Sequence, residues 1–394
     1  MTDEPIVIVG AGTAGVTAAT TLRSSGFDGP ITLIGEEAEH PYRRTALTKD
    51  LLAADLSLER ITLQKPAVWP ERGIDLVRGV AVTAIDTARR VVVCDDGRQI
   101  GYRALVLATG ADSARPDWLA GDVRSVRTLS DALAVRRAVD ESGRLAVVGG
   151  GLIGLELAAS AATHGASVDV VEAADRLLGR VAPAVVSDWF LRLHESHGVS
   201  VRLGARVRAA SARAIRLDEG SEIEGPVVAA VGMTPNVTLA QAAGLETVGE
   251  GIIVDRCFAT ATPNVFAAGD AAALPDALTG RPSLGGHWFG ATDHGRAVAV
   301  SVLAHLDGGR PDGFVDVPRA WTVQYGINVQ MVGWPSVDGT VHVDGSLDDA
   351  DASIRVSVDG RLVGAVTVGR AAAARELRSE IAVGLSEIAV GLSM

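Results

Sequence analysis

Apolar and polar positions fall into two textures along this chain. Ile6 to Val9 is a short β-branched run that meets a glycine cluster, Gly10-Ala11-Gly12-Thr13-Ala14-Gly15. The stretch VTAATTLRSSG follows with a helical pattern and stops at Gly26, and a second apolar run, ITLIG, begins at Ile31. Strand, glycine turn, helix and strand within about 30 residues predict a βαβ unit. The same order returns from Leu145 to Val148, through Gly149-Gly150-Gly151-Leu152-Ile153-Gly154 and the helical stretch LELAASAATHG, to the strand SVDVVE ending at Glu172. A similarity of this length predicts two cofactor-type units rather than a solenoid. The runs ALVLATG (104–110), PVVAAVG (226–232) and PNVFAAGD (263–270) predict further buried strands. From about residue 318 short alternating runs predict a small mixed α/β or antiparallel domain, closed by a helix from about residue 371. The heptad SEIAVGL stands at 379–385 and again at 386–392, which reads as a tail duplication without a role.

Composition changes this picture little. At 394 residues the chain has room for two or three domains, and 47% hydrophobic residues supply their cores. A formal net charge of −12 argues against a general binder of nucleic acid or membrane surface. Cys94 and Cys257 form no CxxC pair, and no spacing of zinc ligands occurs, so no metal is expected. The opening MTDEPIVIVG shows no basic region ahead of an apolar run, and no stretch approaches the roughly 20 apolar residues of a membrane span. A cytoplasmic protein is expected.

The glycine clusters carry the chemistry. In G-x-G-x-x-G the first glycine allows a tight turn, the second lets backbone approach a pyrophosphate, and the third lets helix and strand pack closely. The pyrophosphate then sits on N–H groups at the positive end of a helix. Gly10, Gly12 and Gly15 fit this pattern, as do Gly149, Gly151 and Gly154. A carboxylate at the end of the second strand accepts hydrogen bonds from ribose hydroxyls. The candidates are Glu36 and Glu37 in the first unit and Glu172 in the second. A carboxylate at Glu172 repels a 2′-phosphate and favours NADH over NADPH, although Arg176 and Arg180 follow closely. Two nucleotide sites in one chain predict a hydride relay between a nicotinamide and a flavin.

Beyond these units the sequence resembles the NADH-dependent ferredoxin reductases of the glutathione-reductase-like flavoproteins, the putidaredoxin and rhodocoxin reductase type. The resemblance covers nearly the whole chain. It rests on His40-Pro41-Tyr42-Arg43-Arg44-Thr45-Ala46-Leu47-Thr48-Lys49, on Ala108-Thr109-Gly110 and on Arg127-Thr128-Leu129. It rests also on Thr262-Pro263-Asn264 with Gly269-Asp270, and on His287-Trp288 with Ala291 and His294-Gly295. The resemblance implies an α/β fold of two Rossmann-like FAD/NAD(P)-binding domains plus a small α+β C-terminal domain. It implies an FAD site at Gly10, Gly12, Ala14, Gly15, Glu36, Arg44, Lys49, Val82, Ala108, Thr109, Gly110, Arg127, Gly269, Asp270, Trp288, Ala291 and Trp321. The NADH site it implies comprises Gly149, Gly151, Leu152, Ile153, Gly154, Glu172, Arg180 and Gly232. Lys49 is expected near the flavin N5 edge, paired with Glu156, as the catalytic pair. Disulfide reductases, NADH oxidases and coenzyme A disulfide reductases of this superfamily need cysteine beside the flavin, whereas Thr45 and Ala46 stand here. Electrons are therefore expected to leave the flavin directly.

The implied domains are residues 1–111 with 246–316 for FAD, 112–245 for NADH and 317–394 at the C-terminus. The implied reaction passes electrons from NADH through FAD to a [2Fe–2S] ferredoxin, serving a cytochrome P450 or a Rieske-type ring-hydroxylating oxygenase. A monomer or homodimer is expected. The family pattern is altered around the flavin edge: Val323 replaces an aspartate in Trp321-Thr322-Val323-Gln324, Gly286 a glutamate, His294 a glutamine, and Thr45-Ala46 a proline pair. These departures keep two alternatives open: direct action on a small molecule or oxygen, and a redox-responsive binding protein like apoptosis-inducing factor. The acidic balance also requires a local arginine patch near the C-terminal domain if an acidic ferredoxin is to dock. His294 is placed where it could approach the flavin, and the other histidines read as surface or packing residues.

Overall fold

A computed structural model describes residues 4–49, 51–249 and 251–391. The chain folds as two compact units, each assembled from three stretches. The first comprises Met1–Arg43, Ser57–Asp112 and Met233–Asp316; the second comprises Arg44–Leu56, Ser113–Gly232 and Val317–Met394.

In the first unit five parallel strands run in the order Val265–Ala267, Ala104–Leu107, Ile6–Val9, Ile31–Gly35, Ile74–Arg78. Ile6 pairs with both Ile31 and Ala104, at the centre of the sheet. Ile6, Val7, Ile8 and all of Ala104–Leu107 are fully buried, because a parallel sheet covered on both faces needs uninterrupted apolar runs rather than alternation. The helix Thr13–Ser24 packs on this sheet and against the helix Trp288–Leu306.

The second unit holds a four-stranded parallel sheet in the order Ser200–Arg202, Ser167–Val171, Arg144–Val148, Val227–Ala229. Its helix Leu152–Thr163 is buried continuously from Gly154 to Ala161, and Glu156 lies inside that stretch. The same unit contains a five-stranded antiparallel sheet in the order Arg319–Gln324, Ile327–Gly333, Arg361–Val368, Asp351–Val358, Thr340–Ser346. The helix Ala371–Gly391 covers it with Ala374, Leu377, Ile381 and Leu385, a stripe at helical spacing. Of the two expected forms for this C-terminal region, the antiparallel one is observed. The side chains of the second SEIAVGL copy, at 386–392, lie outside the described residues.

The fold is α/β, with two Rossmann-type nucleotide-binding sheets and an α+β C-terminal portion. Among the described residues no helix is long and apolar enough to cross a membrane, and no group of three or more His, Cys, Asp or Glu side chains is arranged to hold a metal ion.

Candidate functional site

In the first unit the strand Ile6–Val9 runs into the glycine turn from which the helix Thr13–Ser24 starts. Gly10 sits at φ +107°, and a Cβ there would lie 2.1 Å from the Ala108 carbonyl oxygen. A Cβ at Gly15 would lie 1.9 Å from the Gly10 carbonyl oxygen. Both glycines therefore let the chain close on itself. Gly12 differs, because a Cβ there meets no heavy atom within 4 Å. It is the N-cap of the helix, with no side-chain cap bond and no acidic residue in the first turn. The backbone at this N-cap is thus uncrowded, and a helix start with its N–H groups and positive dipole end suits a pyrophosphate.

The surrounding residues close around that helix start. A Cβ at Gly269 would lie 2.8 Å from Ala14 Cβ, and one at Gly295 would lie 2.5 Å from the Ala14 carbonyl. Asp270 follows in the short turn Gly269–Ala271, half-buried. Thr109 Oγ1 donates to the Asn236 carbonyl at 2.7 Å, and Asn236 Nδ2 donates back to the Thr109 carbonyl at 3.2 Å, which fixes the Ala108-Thr109-Gly110 turn. Glu36 is exposed at the end of its strand, whereas Glu37 accepts a hydrogen bond from the Tyr42 hydroxyl. Of the two carboxylates, only the one at Glu36 is exposed. Val82 and Ala291 are partly buried against the core of this unit, and Trp288 opens the helix Trp288–Leu306. His287 caps that helix; burial holds its pKa below the usual histidine value, against the opposing pull of Asp270 and Asp316.

The second unit repeats the construction. Gly149 sits at φ +112° with its Cβ position 2.3 Å from the Ala230 carbonyl oxygen, and a Cβ at Gly154 would lie 2.0 Å from the Gly149 carbonyl oxygen. Gly151, the N-cap of Leu152–Thr163, again meets nothing within 4 Å. Leu152 is half-buried and Ile153 is exposed on the first turn. Glu172 Oε2 accepts from Gly150 N at 2.6 Å and Oε1 accepts from Ala174 N at 2.8 Å. The carboxylate therefore shapes the glycine loop as well as marking the strand end. Gly232 is exposed, with open space at its Cβ position. The Arg180 side chain is exposed, and its carbonyl accepts from Ser336.

The second unit also brings together residues far apart in sequence. Arg44 Nη1 donates to the Arg127 carbonyl at 2.6 Å, beside the capping box of Thr128 and Asp131 that starts the helix Leu129–Ser142. Lys49 follows the turn Arg44–Leu47 and donates to Glu156 Oε1 at 2.5 Å. Its ammonium also donates to the Trp321 carbonyl at 3.0 Å and lies 4.3 Å from the centre of the Trp321 ring. Thr48 Oγ1 donates to Glu156 Oε2 at 2.5 Å, and Thr322 Oγ1 donates to Oε1 at 2.8 Å. Glu156 is 5% exposed and Lys49 18%, so this pair is partly withdrawn from water and compensated by hydrogen bonds.

The network continues through groups that sequence reasoning had not singled out. Gln324 Nε2 donates to Thr322 Oγ1 at 3.0 Å, His194 Nε2 meets Gln324 Oε1 at 2.8 Å, and the Tyr325 hydroxyl meets His194 Nδ1 at 3.0 Å. His194 is fully buried, and burial lowers its pKa to about 4. The polar residues Thr322 and Gln324, alternating inward along a strand, were the available signal. His294 is buried between the Phe258 and Phe314 rings, with Nε2 3.6 Å from Asp316. Both cysteines are buried and free, and both belong to the first unit.

Comparison with known proteins gives a consistent picture. The family model described as pyridine nucleotide-disulphide oxidoreductase matches residues 4–295, and the one described as reductase C-terminal matches residues 319–390. The chain is 35% identical, over 97% of its length and 97% of the relative's, to the 3-phenylpropionate/cinnamic acid dioxygenase ferredoxin–NAD(+) reductase component of Photorhabdus laumondii. It is 38% identical to the anthranilate 1,2-dioxygenase system ferredoxin–NAD(+) reductase component of Burkholderia cepacia, covering 93% of this chain and 91% of that protein. Among solved structures, the covalent putidaredoxin reductase–putidaredoxin complex matches with a TM-score of 0.89 at 33% identity, over 96% of this chain and 93% of that one.

Proposed function

The chain belongs to the pyridine nucleotide-disulphide oxidoreductase family, and from that premise we infer that it is an NADH-dependent flavoprotein that delivers electrons through FAD to a [2Fe–2S] ferredoxin. That ferredoxin serves a ring-hydroxylating dioxygenase or a cytochrome P450. The observation that carries the reading is the doubled cradle: Gly12 and Gly151 each leave open space above a helix start, while their flanking glycines are closed by packing.

The N–H groups above Gly12 hold the FAD pyrophosphate, with Glu36 on the ribose and Asp270 on the adjoining chain of hydroxyls. Val82, Ala108 to Gly110, Trp288 and Ala291 complete that site within the first unit, and the resemblance alone adds Arg44, Arg127 and Trp321 to the residues assigned to FAD. Bound FAD accepts two electrons together and releases them one at a time. The N–H groups above Gly151 hold the NADH pyrophosphate, with Leu152 and Ile153 on the first turn, Glu172 on the ribose, and Arg180 and Gly232 at its margins. Lys49, fixed by Glu156, orients the nicotinamide toward the flavin. Thr45 and Ala46 offer no thiol, so no protein disulfide intervenes before the acceptor. The domain division at 1–111 with 246–316, 112–245 and 317–394 and a cytoplasmic location belong to the same proposal.

The test is direct. The purified holoenzyme is bleached with NADH, then mixed with a [2Fe–2S] ferredoxin and cytochrome c as terminal acceptor. Cytochrome c reduction that depends on ferredoxin is the expected result. Rapid reoxidation by oxygen with no ferredoxin effect would sink the assignment.

A further inference from the structure

We propose that Tyr325, His194, Gln324 and Thr322 are positioning residues that act through Glu156 to hold the Lys49 ammonium in place. The proposal deepens the reading above, in which Lys49 orients the nicotinamide.

The direction of each hydrogen bond follows from the chemistry of its partners. The Glu156 carboxylate can only accept, so Thr322 donates its hydroxyl proton to Oε1. Thr322 Oγ1 then accepts from the Gln324 amide nitrogen. That leaves Gln324 Oε1 as the acceptor toward His194, so His194 carries its proton on Nε2 and presents a bare Nδ1. The Tyr325 hydroxyl therefore donates to Nδ1. Every donor in the series points toward one carboxylate, and the aligned dipoles reinforce one another. Lys49 donates to the oxygen of Glu156 that Thr322 also uses. The orientation of that oxygen is thus set from Tyr325 inward.

Three observations set this apart from ordinary packing. Thr322 and His194 are fully buried and Gln324 is 2% exposed, in positions where apolar side chains would fill the core without any demand for partners. The series spans the helix Ala184–Ser196, the strand Arg319–Gln324 and the helix Leu152–Thr163, and it ends on a group already paired with Lys49. Tyr325 adopts φ +51° in the two-residue turn between Gln324 and Ile327, a left-handed conformation that costs a bulky side chain about 1 kcal/mol or more. Asparagine or glycine fits such a turn with less strain; tyrosine supplies the hydroxyl that reaches His194 and a ring that stacks on His197 at 3.7 Å. The Gln324 amide does not relay protons, so the series sets position and polarity rather than moving a proton.

The sequence provides an unusual probe, because Lys49 and Lys65 are its two lysines. Holoenzyme labelled with [13Cε]lysine is examined by NMR, with Lys65→Arg assigning the signals. In His194→Phe the Lys49 signal is expected to shift while the Lys65 signal stays, and flavin reduction by NADH is expected to slow about three- to tenfold with NADH affinity within about twofold. Thr322→Val is expected to shift the Lys49 signal as well, and adding His194→Phe to it to bring no further change. Tyr325→Phe, which removes only the hydroxyl at the outer end, carries the test if His194→Phe fails to fold. An unmoved Lys49 signal in a folded variant, or additive shifts in the double variant, overturns the proposal. A shifted Lys49 signal with unchanged flavin reduction supports the positioning series and overturns the role of Lys49 toward nicotinamide.

Discussion

The backbone N–H of Gly150 donates to Oε2 of Glu172 at 2.6 Å, so the carboxylate that marks the strand end also holds the glycine loop. Ala174 N takes the other oxygen. Glu172→Ala therefore strands two loop N–H groups and, in the proposed NADH site, removes the ribose acceptor. A hydrogen bond to a charged group contributes about 1.5–3 kcal/mol, so KM for NADH is expected to rise roughly 10- to 100-fold. KM for NADPH is expected to rise less, because repulsion of the 2′-phosphate is relieved at the same time. Steady-state kinetics with both coenzymes checks this, and equal rises would remove Glu172 as the discriminating residue.

The cradle glycines separate into two behaviours on substitution. Gly12→Ala adds a methyl group to open space at an ordinary φ of −76°, so the apoprotein's stability is expected to change by about 1 kcal/mol or less while FAD retention falls. Gly10→Ala forces a Cβ to within 2.1 Å of the Ala108 carbonyl at φ +107°, with an expected loss of about 3 kcal/mol or more. Thermal unfolding of the apoprotein and the flavin-to-protein ratio after purification distinguish the two.

Lys49→Met leaves the Glu156 carboxylate buried without its ammonium. Breaking a buried pair costs about 3–5 kcal/mol, and the low end is expected because Lys49 is 18% exposed. Lys49→Met combined with Glu156→Leu is expected to recover part of that stability, yet to reduce its flavin as slowly as Lys49→Met alone. Denaturant unfolding and stopped-flow reduction by NADH measure the two quantities. Recovery of both together would mean that the pair acts only on stability.

His194 predicts a pH dependence of stability with a definite sign. Its pKa falls from 6.5 to about 4 on folding, chiefly through burial, so between those values the unfolded chain binds the extra proton. The contribution is complete above pH 6.5 and is lost as pH falls toward 4, reaching about 3 kcal/mol. His194→Phe is expected to flatten the stability profile in that window by up to about 1.4 kcal/mol per pH unit. Unfolding free energies measured across that range give the comparison, and parallel profiles would show that His194 does not titrate there.

Both nucleotide units were legible in the sequence because their signals are local. A β-branched run, a glycine cluster and a carboxylate about 20 residues later sit within one βαβ unit, and the constraints on Gly15 and Gly154 come from the carbonyls of Gly10 and Gly149 in the same turn. The Lys49–Glu156 pair spans 107 residues and has no local period, so resemblance to a family supplied it. The contact of His194 with Gln324 spans 130 residues, and a histidine without ligand spacing reads as packing. The alternation of Thr322 and Gln324 hinted that something polar waits on the inner face of that strand, but named no partner. The excursion of Arg44–Leu56 into the second unit was equally hidden, because a short segment of ordinary composition does not announce which core it joins.

The strand order of the first unit bears on how this chain emerges from the ribosome. Ala104–Leu107 is flanked on one side by Ile6–Val9, made earlier, and on the other by Val265–Ala267, made much later. During synthesis its apolar outer edge therefore waits without a neighbour for roughly ten to thirty seconds, at about 5–20 residues per second. An open apolar edge held that long invites pairing with other nascent chains. Slow translation through residues 108–264 or scarcity of chaperones is thus the condition under which yield of this protein should suffer first, with its folded stability unchanged.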